Sequence, residues 1–203
     1  MTASDRPLKL SDQLDGWLTG DGEKTVGSLV DAFGAKSFAI LLVVSLGVPA
    51  MPLPTGGVTH VFEIIAALLA LELIAGRREV WLPDRWRALA LAGEKQQRFV
   101  AALLTLIRRL ERFSRPRLSF LFHRRFTDLV YGLLVIGGTA GAFFAPPFSG
   151  LDTLPALGVV VLSLGVLLED FAVVTAGILV GVTGVALEIA LGAAAVHGLR
   201  TIL

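Results

Sequence analysis

Two carboxylates in the apolar parts of this chain lie beside clusters of proline. Glu63 follows a cluster at residues 49–57, with His60 one helical turn before it, and Asp152 lies within a second cluster at residues 146–155. An ionisable group inside a membrane span costs about 2.5–3.5 kcal/mol to insert, so it usually faces a partner or water. The pattern is typical of a proton or cation site. The simpler alternatives are that Glu63 caps broken backbone or pairs with His60, and that Asp152 caps the following helix.

The proline clusters interrupt apolar stretches long enough to lie in a membrane. In lipid, broken helices leave backbone N–H and C=O groups unpaired, which is tolerated only where the break is buried in protein or lines a wet cavity. Paired breaks in the two halves of a chain favour a transport site. We therefore predict a substrate or ion site at the breaks. Its predicted residues are Pro49, Pro52, Pro54, Gly56, Gly57, His60, Glu63, Pro146, Pro147, Asp152, Pro155, Glu169 and Asp170.

The composition indicates an integral membrane protein. The chain has 203 residues, of which 54% are hydrophobic and only 17% are charged, and its mean hydropathy is +0.74. An ordinary soluble domain is less apolar. The sequence contains no cysteine and no HxxxH, GxSxG, P-loop or HExxH motif. We therefore predict no catalytic residue, no metal and no cofactor, and the chain is more typical of a non-enzyme.

The pattern of apolar and charged residues predicts an all-α fold with a single membrane domain in five segments. Residues 1–36 form amphipathic helices, either at the membrane interface or as a small soluble hairpin. Residues 37–75 and 126–170 form two proline-broken helical hairpins, re-entrant or fully crossing. Residues 76–125 form a basic linker, and residues 171–203 form one tilted span or a third hairpin. The polar N-terminus predicts no cleaved secretory peptide.

Finer predictions concern individual helices. Ser11 is predicted to cap the first helix, and the second is predicted at Val26–Phe33. Residues 86–113 are predicted as one amphipathic helix from their helical periodicity. Their apolar run at 99–107 is too short to span a bilayer. We expect this helix to lie on the cytoplasmic leaflet.

The basic residues are concentrated in one segment. Thirteen of the 18 Lys and Arg residues fall between Arg77 and Arg125, which by the positive-inside rule places this linker and the N-terminus in the cytoplasm of a multi-pass inner-membrane protein. Near anionic lipid each basic residue contributes about 1 kcal/mol, which explains the cluster more simply than nucleic-acid binding. The predicted lipid-surface residues are Trp81, Arg108, Arg109, Arg112, Arg115 and Arg117.

Two further patterns suggest symmetry and close helix packing. An offset of 97 residues aligns Asp31 with Asp128, Pro49 with Pro146, and Glu72 with Glu169, which predicts an internal repeat, inverted or parallel. Gly177 and Gly181 form a GxxxG pattern that brings helices together, within a subunit or between two. A chain this small would need a homodimer to enclose a pathway.

Several segments together resemble the ExoD family. They are Pro52-Leu-Pro-Thr-Gly56, Gly76-Arg-Arg-Glu-Val-Trp-Leu-Pro83 and Arg115-Pro-Arg117, followed by the second break and Glu169-Asp170. This chain has Phe171 where we expect glycine in the family. The resemblance implies a bacterial membrane protein linked to exopolysaccharide synthesis, with that machinery as a possible partner.

Three functions are compatible with these patterns. The first is a small transporter or flippase-like protein with its site at the paired breaks. The second is a non-catalytic scaffold of exopolysaccharide synthesis or export. The third, with least support, is a membrane enzyme that acts on a lipid-linked sugar through Glu169 and Asp170.

Overall fold

A computed structural model describes residues 9–51, 59–91, 93–113, 125–145 and 150–202. This part of the chain forms helices and turns and contains no strand, and Thr25 and Ala90 form an isolated β-bridge. The helices are α1 (Leu10–Thr19), α2 (Val26–Phe33), α3 (Lys36–Leu46), α4 (Thr59–Ile74), α5 (Asp84–Arg87), α6 (Glu94–Phe113), α7 (Arg125–Phe144), α8 (Thr153–Leu167) and α9 (Phe171–Ile202). The all-α prediction is confirmed.

The helices group into two compact units. Unit 1 comprises Met1–Ser37 and Glu79–Arg115, and so contains α1, α2, α5 and α6. Unit 2 comprises Phe38–Arg78 and Pro116–Leu203, and contains most of α3 together with α4, α7, α8 and α9.

In unit 1, α1 and α6 pack antiparallel through polar contacts. The backbone N–H of Ser11 donates to Oε1 of Glu111 at 3.1 Å, and the Ser11 hydroxyl donates to the other oxygen. Four residues along α1, Asp15 accepts from Arg108 at 2.9 Å. The prediction that Ser11 caps α1 is wrong, because the helix begins at Leu10 and the Ser11 hydroxyl is engaged by Glu111.

The apolar stripe of α6 is buried within protein. Val100, Leu103, Leu104 and Ile107 are all less than 9% exposed, and the spacing of three and four residues places them on one helix face. The expected interfacial helix would instead present this stripe to lipid. α1 packs against α6 and α2 against α5, a pairing that neither prediction for the N-terminal helices contained, and the choice between an interfacial pair and a soluble hairpin remains a prediction.

Residues 86–113 do not form one helix. α5 ends at Arg87 and α6 begins at Glu94. Between them, the carbonyl of Leu89 accepts from the N–H of Val26, and the N–H of Leu91 donates to the carbonyl of Lys24. These bonds hold residues 89–91 in an extended bridge with the segment before α2, and an extended chain cannot continue a helix.

In unit 2, α4 has apolar side chains on its outward face and a carboxyl group on its inward face, which is the distribution typical of a membrane helix. Its outward face carries Val61, Ile64, Leu68 and Leu71, each between 50% and 58% exposed. Its inward face, which repeats every three or four residues, buries small or polar side chains as well as leucines: Thr59, Glu63, Ala66, Leu69, Ala70 and Leu73. Apolar groups outside and a buried carboxyl inside suit a lipid solvent, where ionisable groups turn inward.

The helices of unit 2 alternate in direction. Gly132 of α7 lies against Ala70 and Ile74 at the end of α4, while Glu63, near the start of α4, shares a cavity with Thr139, further along α7. These two helices are therefore antiparallel. Gly138 of α7 contacts Val159 of α8, and the Tyr131 hydroxyl donates to Ser163 at 2.8 Å, so α7 and α8 are antiparallel as well.

Glycines bring α8 and α9 into backbone contact. A methyl group at Gly158 would lie 2.4 Å from Cα of Gly181, and one at Gly177 would lie 2.3 Å from the backbone nitrogen of Leu162. Side chains cannot fit at such separations, so the two helices approach through glycine alone. α9 runs unbroken through Gly181 and Gly184, so the final run is one helix and not a third hairpin.

Among the described residues, two helices are long and apolar enough to cross a membrane. They are Arg125–Phe144 and Phe171–Ala194. Of the most apolar 18 residues in each, only 33% and 11% are buried. The core helix of a soluble protein would be mostly buried, so this exposure favours lipid contact. α4 and α8 have 16 and 15 residues, less than the about 20 that a bilayer core needs. Re-entry of these shorter helices remains a prediction.

Candidate functional site

Glu63 is the most deeply buried carboxylate near the breaks. It is 1% exposed, and its Oε2 lies 2.7 Å from Nδ1 of His60, one helical turn earlier. Oε1 has no hydrogen-bond partner within the described residues. His60 is 36% exposed and its ring lies 4.8 Å from that of Phe143. The predicted Glu63–His60 contact is therefore present, and it leaves half of the carboxyl group unsatisfied.

A cavity of 130 Å³ lies against this carboxyl group. Its lining includes Glu63 and Ala67 of α4 and Thr139 and Phe143 of α7. The Thr139 hydroxyl donates to the carbonyl of Val135 in its own helix, at 2.7 Å. The walls are otherwise apolar, so the carboxylate faces a space with few groups to solvate it.

Two further carboxylates belong to the same cluster. Asp152 immediately precedes α8, and its side chain makes no capping hydrogen bond, contrary to the simpler interpretation of this residue. Glu188 projects from α9, with its Oε2 3.3 Å from where a methyl group at Gly141 would lie, and its Oε1 has no partner within the described residues. Glu63, Asp152 and Glu188 interact electrostatically in every pairing. We refer to these three residues with His60 as the carboxyl cluster.

The helix directions explain why the cluster forms. Because α4 and α8 are both antiparallel to α7, they run the same way, and their first turns lie at the same end of unit 2. Glu63 lies one turn into α4 and Asp152 just before α8. α9 runs back toward this end and carries Glu188 there. The common direction also means that any internal repeat of these hairpins is parallel and not inverted.

Several predicted site residues lie outside the described residues. They are Pro52, Pro54, Gly56 and Gly57 of the first break, Pro146 and Pro147 of the second, and Arg115 and Arg117 of the linker. Their roles remain predictions.

The other two predicted prolines, Pro49 and Pro155, are buried in the structure. Pro49 is fully buried after α3. Pro155 is buried in the first turn of α8, where its missing N–H has no helical partner to lose. A methyl group at Gly184 would lie 2.7 Å from Cδ of Pro155, so this ring packs directly against α9.

Glu169 and Asp170 join α8 to α9. Glu169 has a φ of 53° and donates its N–H to Val166, while the N–H of Asp170 donates to Gly165, which is the Schellman pattern of a helix end. Asp170 is only 5% exposed, and its Oδ1 accepts from the N–H of Ala172 at 2.9 Å, capping α9. Asp170 is therefore a buried cap between the two helices.

The capping role of Asp170 predicts a loss of stability. Asp170→Ala should lower the free energy of unfolding by about 1 kcal/mol, the usual value of an N-cap. Asp170→Asn keeps a capping oxygen and should remain near the native value. Thermal unfolding of the purified protein in detergent measures both, and equal stability of the two variants would contradict the capping role.

The predicted lipid-surface residues that can be described lie in unit 1. Trp81 is 61% exposed, Arg109 and Arg112 are exposed, and Arg108 pairs with Asp15. Nearby, Asp31 accepts two hydrogen bonds of 2.7 Å from Arg87 and raises the pKa of that guanidinium. Contact of the arginines with lipid remains a prediction.

Glu188 is the member of the cluster that sequence reasoning missed. A usable signal was present, because a lone carboxylate follows Gly184 within a long apolar run. What the sequence does not contain is the antiparallel pairing that brings Glu188 beside Gly141.

Comparisons with known proteins agree on one family. The model described as "Exopolysaccharide synthesis, ExoD" matches residues 10–190. Protein ExoD of Rhizobium meliloti is 30% identical over 177 residues, covering 85% of this chain and 73% of that protein. The uncharacterized protein slr1875 of Synechocystis sp. is 31% identical over 147 residues, covering 72% and 68%. No solved structure gives a significant match. The match over most of the chain, together with the resemblance in its motifs, shows that the chain belongs to the ExoD family.

Proposed function

We propose that this protein is a small transporter or flippase-like protein of exopolysaccharide synthesis or export, with its ion-coupling site at the carboxyl cluster. The observation that carries the proposal is the buried Glu63, which faces a cavity with one oxygen unpartnered. Buried ionisable groups in membrane helices mark ion or substrate paths, because their insertion is costly without such a role.

The depth of the second break supports this proposal. Pro155, in the first turn of α8, lies against Gly184 of α9, whereas the apolar part of α9 extends to Ala194. At 1.5 Å per residue, α9 continues about 15 Å beyond that contact. The start of α8 would then lie well below the bilayer surface, as in transporters with half-helices.

We further propose that the protein is a multi-pass protein of the bacterial inner membrane, with the basic linker in the cytoplasm. The distribution of Lys and Arg supports this orientation. A homodimer is the simplest way for so small a bundle to enclose a pathway, and the outward apolar faces of α7 and α9 offer surfaces for one.

A conservative substitution tests the role of Glu63. Glu63→Gln keeps the volume and can still hydrogen-bond His60, but it cannot carry a negative charge. In a strain that lacks the native gene, we expect exopolysaccharide output to fall about tenfold, equivalent to about 1.4 kcal/mol on a barrier. Output is measured per cell and corrected for the amount of protein in the membrane.

Glu72→Gln is the matched control, because Glu72 lies in the same helix but near its end. It should leave output unchanged. Native output from Glu63→Gln at native protein levels would contradict the transporter proposal.

The alternative is a non-catalytic scaffold of the same machinery. It is favoured by unit 1, whose apolar stripe on α6 is buried, leaving the exposed Arg109 and Arg112 available to an acidic partner. In that case Arg109→Glu combined with Arg112→Glu would abolish output, while Glu63→Gln would not.

A further inference from the structure

The carboxyl cluster holds more acid than base. Glu63, Asp152 and Glu188 lie close enough for their charges to interact, and among the described residues His60 is the basic group of the cluster, in contact with Glu63. α7 contributes Thr139 and Phe143 to the same region, neither of which titrates near neutral pH. Glu63 and Glu188 each have a buried oxygen without a partner among the described residues, and one imidazole cannot compensate both charges, so a further positive charge must be supplied.

Resting on the proposed function, we propose that this charge is a proton, carried by Glu63 and Glu188, with His60 passing it to and from Glu63. Two oxygens point to these carriers, since Oε1 of Glu63 and Oε1 of Glu188 are both buried without a partner among the described residues. A protonated carboxyl donates only one hydrogen bond, and Nδ1 of His60 lies within reach of Oε2 of Glu63. A dehydrated cation needs many more oxygens, about six to eight for Ca²⁺, whereas the cavity walls beside Glu63 are apolar apart from Thr139.

The geometry of the His60–Glu63 contact suits proton transfer. The distance of 2.7 Å between Nδ1 and Oε2 fits two arrangements, in which either the imidazole N–H donates to a carboxylate or a carboxylic O–H donates to a neutral imidazole. The proton moves along one hydrogen bond between them, and no other bond changes. His60 is partly exposed while Glu63 is buried, so His60 is the more accessible partner of this contact.

Infrared difference spectroscopy tests the inference without relying on transport. The purified protein in lipid bilayers should show the stretching band of a protonated carboxyl at about pH 7, where exposed carboxyls are ionised. Glu63→Gln and Glu188→Gln should each remove or shift this band. Glu23→Gln, at an exposed carboxylate of unit 1, should leave it unchanged. Circular dichroism and thermal unfolding confirm that each variant is folded.

Three results would overturn the inference. They are the absence of the band, a band that neither cluster substitution alters, and a band that disappears when Na⁺ or Ca²⁺ is added at constant pH. The last result would identify a metal cation as the ligand.

The outcome can be separated from that of the proposed function. If Glu63→Gln abolishes exopolysaccharide output but the native protein shows no protonated carboxyl, the transporter proposal stands and the inference of a bound proton fails. If the band responds to both substitutions while output stays native, the proton site stands and the transporter proposal fails.

Discussion

Gly158→Ala is expected to destabilise the bundle by about 1–3 kcal/mol, the usual cost of forcing extra volume into a packed site. The new methyl group would lie 2.4 Å from both Cα and the backbone nitrogen of Gly181. Backbone atoms cannot rotate away as a flexible side chain can, so α8 and α9 would have to separate along their shared seam. Packing of this kind drives helix association where lipid tails are as apolar as the helices.

The control is Gly137→Ala. Gly137 is an exposed glycine of α7, and a methyl group there would meet no atom within 4 Å. Because alanine favours helix more than glycine, this variant should be neutral or more stable by about 0.5–1 kcal/mol. Thermal unfolding in detergent measures both variants. If Gly158→Ala unfolds at the same temperature as Gly137→Ala, the glycine seam is not a close contact.

Combining substitutions at Glu63 and Glu188 should give a strongly non-additive loss of function. If the two carboxyls carry one proton, removing either should lower exopolysaccharide output about tenfold, and removing both should lower it little further. Independent sites would multiply to about a hundredfold. The difference corresponds to about 1.4 kcal/mol of coupling, which is typical of residues that act as a unit.

Comparing the single and double variants requires exopolysaccharide outputs above the background of the strain that lacks the gene. Where Glu63→Gln falls to that background, the milder Glu63→Asp takes its place. Glu63→Gln with Glu72→Gln provides the control pair, and this pair should show no more loss than Glu63→Gln alone. A multiplicative loss from the Glu63 and Glu188 pair would show that the two carboxyls act separately.

Sequence patterns predicted most of the helices of unit 2, because long apolar runs ending at glycine, proline or acidic residues leave few alternatives. The predicted end of α4 at Gly76 is a good example. Gly76 has a φ of 80°, and Leu73 and Glu72 accept the bonds of a Schellman motif. The unbroken α9 was left open by the sequence, since Gly181 and Gly184 suit a break and a close contact equally well. Only the position of α8 opposite them decides between the two.

The site was predictable only in part. Glu63 and His60 are neighbours on one helix, so their contact follows from spacing alone. Asp152 and Glu188 join them through the antiparallel pairing of α7, α8 and α9, which no local pattern contains. The aligned acidic residues show the same limit. Glu72 lies inside α4, whereas Glu169 lies past the end of α8, so the offset of 97 residues does not match equivalent positions there, and the internal repeat remains a prediction.

The contact between Gly76 and Arg125 bears on how the chain could change in length. A methyl group at Gly76 would lie 2.9 Å from the Arg125 guanidinium, so the chain leaves the end of α4 and returns to the start of α7 at neighbouring points. For the helix bundle, the chain between Gly76 and Arg125 is therefore an insertion whose two ends lie close together. Doubling the length of a flexible closed segment costs only about 0.6 kcal/mol. Relatives could therefore lengthen, shorten or remodel this insertion while the helices around the carboxyl cluster stay as they are.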